Sequence, residues 1–337
     1  MTFLALAFVL AAAPAQAEPA AEDRARVELI ERVSRSVVHV KAEQSEPLAV
    51  NTARSGRDRV FDDMLDSLGG PRKPEEGTGF VIDSARGLVL TAAHIVDEAK
   101  TITVTLPGGT SARAELAGLD VDGGIALLRV SGSLPALPLA EREPRAGETA
   151  IIVGWMIPLK SVMPVEGMVM GDAPGAEASP LAPPFAKYIA LDAVIPNGGF
   201  GGSPAVDSSG KVVGMVSAIY GRDYGPGSLT MIISAAGMAK DLAQLAAAGR
   251  ISRSAIGMKV DCPKGNCFVD SIDAGSAAAK AGLRQRDALI AVDSVKVASV
   301  PAVQRAIGRK PIGAPVELTV YRDGQLVTLS AITVARP

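Results

Sequence analysis

Cysteine is nearly missing from this chain: 337 residues hold two, Cys262 and Cys267. Aromatic residues are scarce at 4%, with one Trp, so the core has to be built from Ala, Val, Leu and Ile. Charge of one sign is also lacking. The net charge is −2, and no basic cluster stands out, which argues against a nucleic-acid partner held by its phosphates. Beyond the first residues no run is long and apolar enough to cross a bilayer as a helix. What remains is globular: 48% hydrophobic and 21% charged, with enough length for two or three domains with real cores.

The chain begins with an apolar run from Phe3 to Ala13, followed by Ala15-Gln16-Ala17. An apolar stretch of that length before an A-x-A pattern predicts a secretory signal over residues 1–17. In an exported chain, two cysteines spaced C-x4-C read as a local disulfide ahead of free thiols or a metal site, for which no further ligands are near. The residues between them, Pro263-Lys264-Gly265-Asn266, are turn formers.

The rest divides by pattern. Residues 22–248 open with a short helix and the strand Ser36-Val37-Val38-His39-Val40. Residues 46–76 are polar, with an apolar patch around Phe61, and predict a long exposed loop. Short Val/Ile/Leu-rich strands then alternate with Gly and Pro turns, at 79–82, 88–91, 102–106, 125–130, 149–154, 188–191 and 212–219. That spacing predicts barrels or sandwiches, a mainly β fold. A helix over Met238–Ala248 is stopped by Gly249. Residues 249–253 read as a linker, and 254–337 as a smaller domain. That domain holds strands at 267–272, 288–292, 315–321 and 326–334, short helices at 276–281 and 301–308, and a hairpin turn at Asp323-Gly324.

The chemistry gathers in three motifs. Val89-Leu90-Thr91-Ala92-Ala93-His94, with Gly77-Thr78-Gly79-Phe80 upstream, resembles the catalytic-histidine strand of trypsin-like serine proteases. Gly199-Phe200-Gly201-Gly202-Ser203-Pro204 resembles their nucleophile loop, Gly-x-Ser-Gly-Gly-Pro. Matching from Pro204 places Gly201 at the nucleophile, and matching from Asp192 places Phe200 there. Neither has a hydroxyl, and the only one between Asp192 and Pro204 is Ser203. The third motif should carry an acid opening Asp-Ile-Ala-Leu. The chain reads Asp122-Gly123-Gly124-Ile125-Ala126-Leu127, so Gly124 takes the acid's place. Asp122 reads as a turn residue and His39 as a core or edge residue of its strand. A triad needs nucleophile, base and acid together with backbone donors for the oxyanion. Only the base is in place, while Gly199, Gly201 and Gly202 keep the backbone from which donors are made. Loss of the nucleophile alone costs about 10^6 in kcat in a comparable protease.

Taken together, these motifs resemble the HtrA/Deg family of periplasmic serine proteases over nearly the whole chain after the leader. Glu31 to Val38, Gly210-Lys211-Val212-Val213-Gly214-Met215 and Ile256-Gly257-Met258 add to the match. The resemblance implies a trypsin-like double β-barrel followed by one PDZ domain, a periplasmic location and a trimer or multiple of trimers. Gly275-Ser276-Ala277-Ala278, Ala281-Gly282-Leu283 and Asp287 to Ile290 carry the PDZ match. In such a domain Ile256, Gly257 and Met258 would receive a peptide C-terminus, and Val303 and Ile307 would line the groove. Three readings follow. The favoured one is a non-cleaving binder of peptides or protein C-termini, acting as chaperone, adaptor or regulator and needing no cofactor or metal. The second is an active endopeptidase using Ser203, His94 and, as acid, Asp122. The third is a structural subunit assembling with an active relative.

Overall fold

A computed structural model of the protein describes residues 21–44, 75–132, 134–173, 182–195, 199–220 and 229–336. The expected leader at 1–17, nearly all of the loop 46–76 and its Phe61 lie outside the described residues.

Helix α1 (Ala21–Ser34) leads into the first of two closed barrels. Its strands are β1 (Val37–Gln44), β2 (Glu75–Asp83), β3 (Leu88–Ala92), β4 (Ala99–Thr105), β5 (Ser111–Asp120) and β6 (Ile125–Arg129), with the four-residue helix α2 (Ala93–Val96) between β3 and β4. They close in the order β1-β2-β3-β6-β5-β4, every pair antiparallel. β3 is buried at all five positions because it lies between β2 and β6. β4, nearer the surface, keeps the two-residue alternation of a half-buried strand.

The second barrel closes from β7 (Thr149–Met156), β8 (Ser161–Asp172), β9 (Tyr188–Asp192), β10 (Pro204–Val206), β11 (Val212–Tyr220) and β12 (Leu229–Ser234). Helix α3 (Ala235–Ala248) follows. The Ser234 hydroxyl caps it by accepting the Gly237 N–H at 2.9 Å, and Gly249 ends it at φ +70°. Met238, Leu242 and Leu245 bury one face of α3 at helical spacing. Leu245 packs onto β5 at Gly118, where an ideal Cβ would lie 2.7 Å from its Cγ.

The C-terminal domain adds β13 (Ser254–Ala255), β14 (Met258–Asp261), β15 (Cys267–Ile272), α4 (Ala277–Lys280), β16 (Ala288–Val292), β17 (Val295–Lys296), α5 (Val300–Gly308), β18 (Pro315–Arg322), β19 (Gln325–Ile332) and β20 (Val334–Ala335). Its main sheet runs β14-β15-β16-β18-β19, so β14 is an edge strand. The β18–β19 hairpin turns through Asp323 and Gly324, both with positive φ, as the Asp-Gly pair predicts. Cys262 and Cys267 form the disulfide that closes the β14–β15 connection.

Each of the strands and helices anticipated from the pattern is present, with ends shifted by a few residues. The pattern does not single out β5, β8, β10, β12, β14 or the two-residue strands β13 and β17. β8 carries Pro164 and two glycines and is exposed at alternate positions, and β14 is four residues long, so neither shows a strong apolar period. Helix α3 begins three residues early because small residues preceding Met238 carry no apolar signal.

Candidate functional site

The three motifs meet where the barrels face each other. His94 stands on α2, immediately after β3, and its side chain reaches solvent. The main chain beneath it is held by the Ala93 N–H, which donates to the Gly124 carbonyl at 3.0 Å. From the other barrel the loop 199–202 arrives against β2. Thr78, fully buried, ties it down: its N–H donates to the Gly201 carbonyl at 2.8 Å, and its hydroxyl donates to the Gly199 carbonyl at 2.5 Å. The same hydroxyl accepts the Trp155 N–H at 2.8 Å. One threonine therefore joins β2, β7 and the loop.

The direction of each loop residue follows from its packing. Phe200 is completely buried in the apolar core of the second barrel, over Gly154. Gly201 faces His94: an ideal Cβ there would lie 3.2 Å from Nε2 and 3.4 Å from Cε1. Gly199 (φ +95°) and Gly202 (φ +83°) are glycines of necessity, since a Cβ would stand 2.4 Å from the Trp155 carbonyl oxygen and 2.1 Å from the Thr78 carbonyl oxygen, respectively. Ser203 is fully buried. Its hydroxyl lies on the Gly154 side of the loop, and among the described residues it has no hydrogen-bond partner.

The carboxylates near the acid position are engaged elsewhere. Asp122 sits in the turn between β5 and β6 and pairs with Arg336 from the C-terminal end. Asp120 pairs through both oxygens with Arg253, the second contact at 2.6 Å. Arg253 also reaches Asp241 at 3.3 Å and lies 4.2 Å over the Phe185 ring. Gly123 leaves room for this pair, since a Cβ would fall 2.0 Å from Asp120 Oδ2. At Gly124 (φ +76°) a Cβ would meet Pro183 Cγ at 2.7 Å and Ile233 Cδ1 at 2.9 Å. The segment Pro183-Pro184-Phe185 is braced by Arg305 and Arg309, which donate to the Pro184 and Phe185 carbonyls at 3.1 and 3.4 Å.

Among the described residues, no hydrogen bond or ion pair forms to His94. The protein wall around the imidazole lowers its pKa below the ordinary 6.5, and desolvation is the only cause. His39 is half-buried, bonds Glu76 at 3.0 Å and stacks on Trp155 with ring centroids 5.2 Å apart. Burial lowers its pKa too, against the opposing pull of Glu76.

In the C-terminal domain, Gly257 (φ +75°) makes the turn before β14. Its carbonyl accepts the Asp273 N–H at 3.0 Å and the Ser276 hydroxyl at 3.1 Å. Ile256, Val303 and Ile307 are buried in that domain's core, and Met258 packs against it. Thr78, Pro183 and Arg253 escaped the sequence reading as site residues. Thr78 lies inside the Gly77-Thr78-Gly79-Phe80 motif, and its position between two glycines is the available signal. Pro183 and Arg253 had none, because their partners are remote in sequence.

Residues 77–215 match the trypsin-like peptidase domain family, and residues 254–333 match the PDZ domain family. The protein is similar to the periplasmic serine endoprotease DegP of Salmonella typhimurium, 29% identical over 271 residues that make up 75% of this chain and 56% of that protein. It is similar to the probable periplasmic serine endoprotease DegP-like of Halomonas elongata, 32% identical over 266 residues, 74% of this chain and 54% of that protein. The chain thus spans about half the length of the curated relatives it matches. The structure resembles the HtrA-type protease AlgW with tripeptide at a TM-score of 0.67 and 20% identity, over 92% of this chain and 97% of that one. It resembles the serine endoprotease from Yersinia pestis at 0.66 and 21%, over 95% and 99%. Among the described residues no helix is long and apolar enough to cross a membrane.

Proposed function

The chain belongs to the HtrA/DegP family, with a trypsin-like peptidase domain followed by a PDZ domain, and from that premise we propose that it binds peptides or protein C-termini in the periplasm without cleaving them. One observation carries this reading. The loop position whose Cβ would lie 3.2 Å from His94 Nε2 is Gly201, so the base faces backbone where a nucleophile would stand. Phe200, the other candidate for that position, points into the core. Both neighbouring aspartates are engaged by arginines, and Pro183 fills the space over Gly124. Without a nucleophile the rate falls by about 10^6, and what backbone donors alone supply is about 10^3 to 10^4 over water, too little for peptide bonds.

The PDZ domain supports the binding half. β14 is an edge strand, free on one side to accept an extended peptide, and the Ile256-Gly257-Met258 turn stands at its start. A homo-oligomer, or an assembly with an active relative, fits this reading.

The relatives are endoproteases by name, and this favours a second reading in which Ser203 attacks with His94 as base. It requires the buried Ser203 hydroxyl to leave its place beside Gly154.

A fluorophosphonate probe with an unfolded protein substrate separates the two. We expect no labelling and no cleavage, together with saturable binding of C-terminal peptides. Labelling of Ser203 that disappears in His94→Ala would overturn the proposal.

A further inference from the structure

Methionine gathers on β8. Three of the chain's ten methionines, Met163, Met168 and Met170, fall within one stretch of eight residues. Met163 packs against the core of the second barrel. The other two do not: Met168 is 46% exposed and Met170 50%, while Val169 between them is 1% exposed. Methionine ordinarily fills gaps in a core, and core packing accounts for neither of these. The alternation puts both side chains on the outer face of the barrel, roughly 7 Å apart along the strand.

Two features shape the surroundings of this pair. The β8–β9 register shifts between Val169 and Gly171, so Met170 is the extra residue of a bulge and no residue of β9 stands opposite it. Asp192 stands directly across from Met168, and cross-strand partners share a face. Asp192 is exposed, and among the described residues its carboxylate has no hydrogen bond or ion pair.

Methionine is unbranched and turns about three bonds, so two sulfurs on one face of a strand can close on a single ion between them. Thioether sulfur is a soft, uncharged donor of the kind that selects Cu(I). Ca(II) and Mg(II) take oxygen ligands in numbers that one carboxylate does not supply. Zn(II) takes thiolate, imidazole and carboxylate, of which only the last is present here.

We propose that Met168 and Met170 form a thioether site for a soft monovalent cation, Cu(I) or Ag(I), with Asp192 as the neighbouring counter-charge. One carboxylate balances one monovalent cation, and the two sulfurs are neutral. Because both donors stand on one barrel strand, binding by the first brings the second to a high effective concentration. The site uses neither His94 nor the PDZ turn, and it does not depend on whether the chain cleaves peptides.

NMR of the full-length protein with labelled methionine methyl groups reads the site directly. Ag(I) is the probe, in buffer free of chloride, since it shares the softness of Cu(I) and needs no reductant. Met168→Leu and Met170→Leu assign the two signals. Leucine is close to methionine in volume and both positions are exposed, so these variants should fold as the parent does. We expect the Met168 and Met170 signals to move together and to saturate at the same Ag(I) concentration, while the Met163 signal holds. Zn(II) and Ca(II) should move neither. In each single variant the remaining signal should need about a hundredfold more Ag(I), the loss expected when two linked donors become one. Absence of saturable movement, an equal response to Zn(II), or a Met170 signal that responds in Met168→Leu as it does in the parent would overturn the proposal.

Discussion

At the scale of single residues, two glycines decide what the centre can do. Gly201 is absent from the positive-φ positions, so its backbone accepts an L side chain. Among the described residues His94 has no bond to give up in moving the few tenths of an ångström that a Cβ at 3.2 Å requires. Gly201→Ser should therefore fold and acquire fluorophosphonate labelling at position 201 that vanishes when His94 is also changed to Ala. Turnover should stay about 10^4 below a full triad, since no carboxylate orients the imidazole. Labelling that survives without His94 would show the geometry to be misassigned. At Gly124 the opposite holds: its φ of +76° and the nearness of Pro183 mean that Gly124→Asp restores no acid in this arrangement. His94 also links the site to pH. Its folded pKa lies below 6.5, so as pH falls through 6.5 the unfolded chain takes up this proton first. Stability contributed by the neutral imidazole is present above 6.5 and is lost on acidification. Thermal melts should show Tm falling below that pH, with a shallower fall in His94→Gln; an identical slope in the variant would refute the assignment.

At the scale of elements, the β14–β15 hairpin carries the PDZ side of the proposal. Its disulfide joins cysteines five residues apart at the end opposite the Gly257 turn. On the chain-entropy argument, closing so small a loop contributes about 2 kcal/mol. Cys262→Ser with Cys267→Ser should lower the C-terminal domain's stability by about that amount in urea melts and leave the barrels unchanged. A loss confined to the barrels would contradict this placement. The disulfide and the Asp-Gly hairpin were legible from local pattern, because each depends on neighbours within a few residues. β8 was not legible, because its apolar side chains are few and its place is set by pairing with β7 and β9.

Across the whole molecule, buried arginine joins the parts. Arg253, from the segment between the barrels and the last domain, is 8% exposed and engages Asp120 and Asp241 over the Phe185 ring. The desolvation that would lower the Arg253 pKa is outweighed by these carboxylates, which raise it. Removing one partner from such a buried pair costs about 3 to 5 kcal/mol, because the other charge is left uncompensated. Arg253→Met should lower the melting temperature of the barrel domain, whose Asp120 and Asp241 it would leave uncompensated. An unchanged melting temperature would show that the pair contributes nothing to stability.

The order of domains, the class of fold, the position of His94 and the lack of a hydroxyl at Phe200 and Gly201 were determined by the sequence alone. Those features live in short motifs and in the spacing of apolar residues, which read locally. Two facts were settled only in three dimensions: that Gly201 rather than Phe200 faces the imidazole, and that Asp120 and Asp122 serve arginines instead of His94. The loop was ambiguous by one residue until the core of the second barrel took up the Phe200 ring. Arg253 and Arg336 meet their aspartates across 133 and 214 residues of chain, and Thr78 meets Gly199 across 121. No local pattern specifies such pairs, because what brings them together is the closure of two barrels and the packing of a third unit against them.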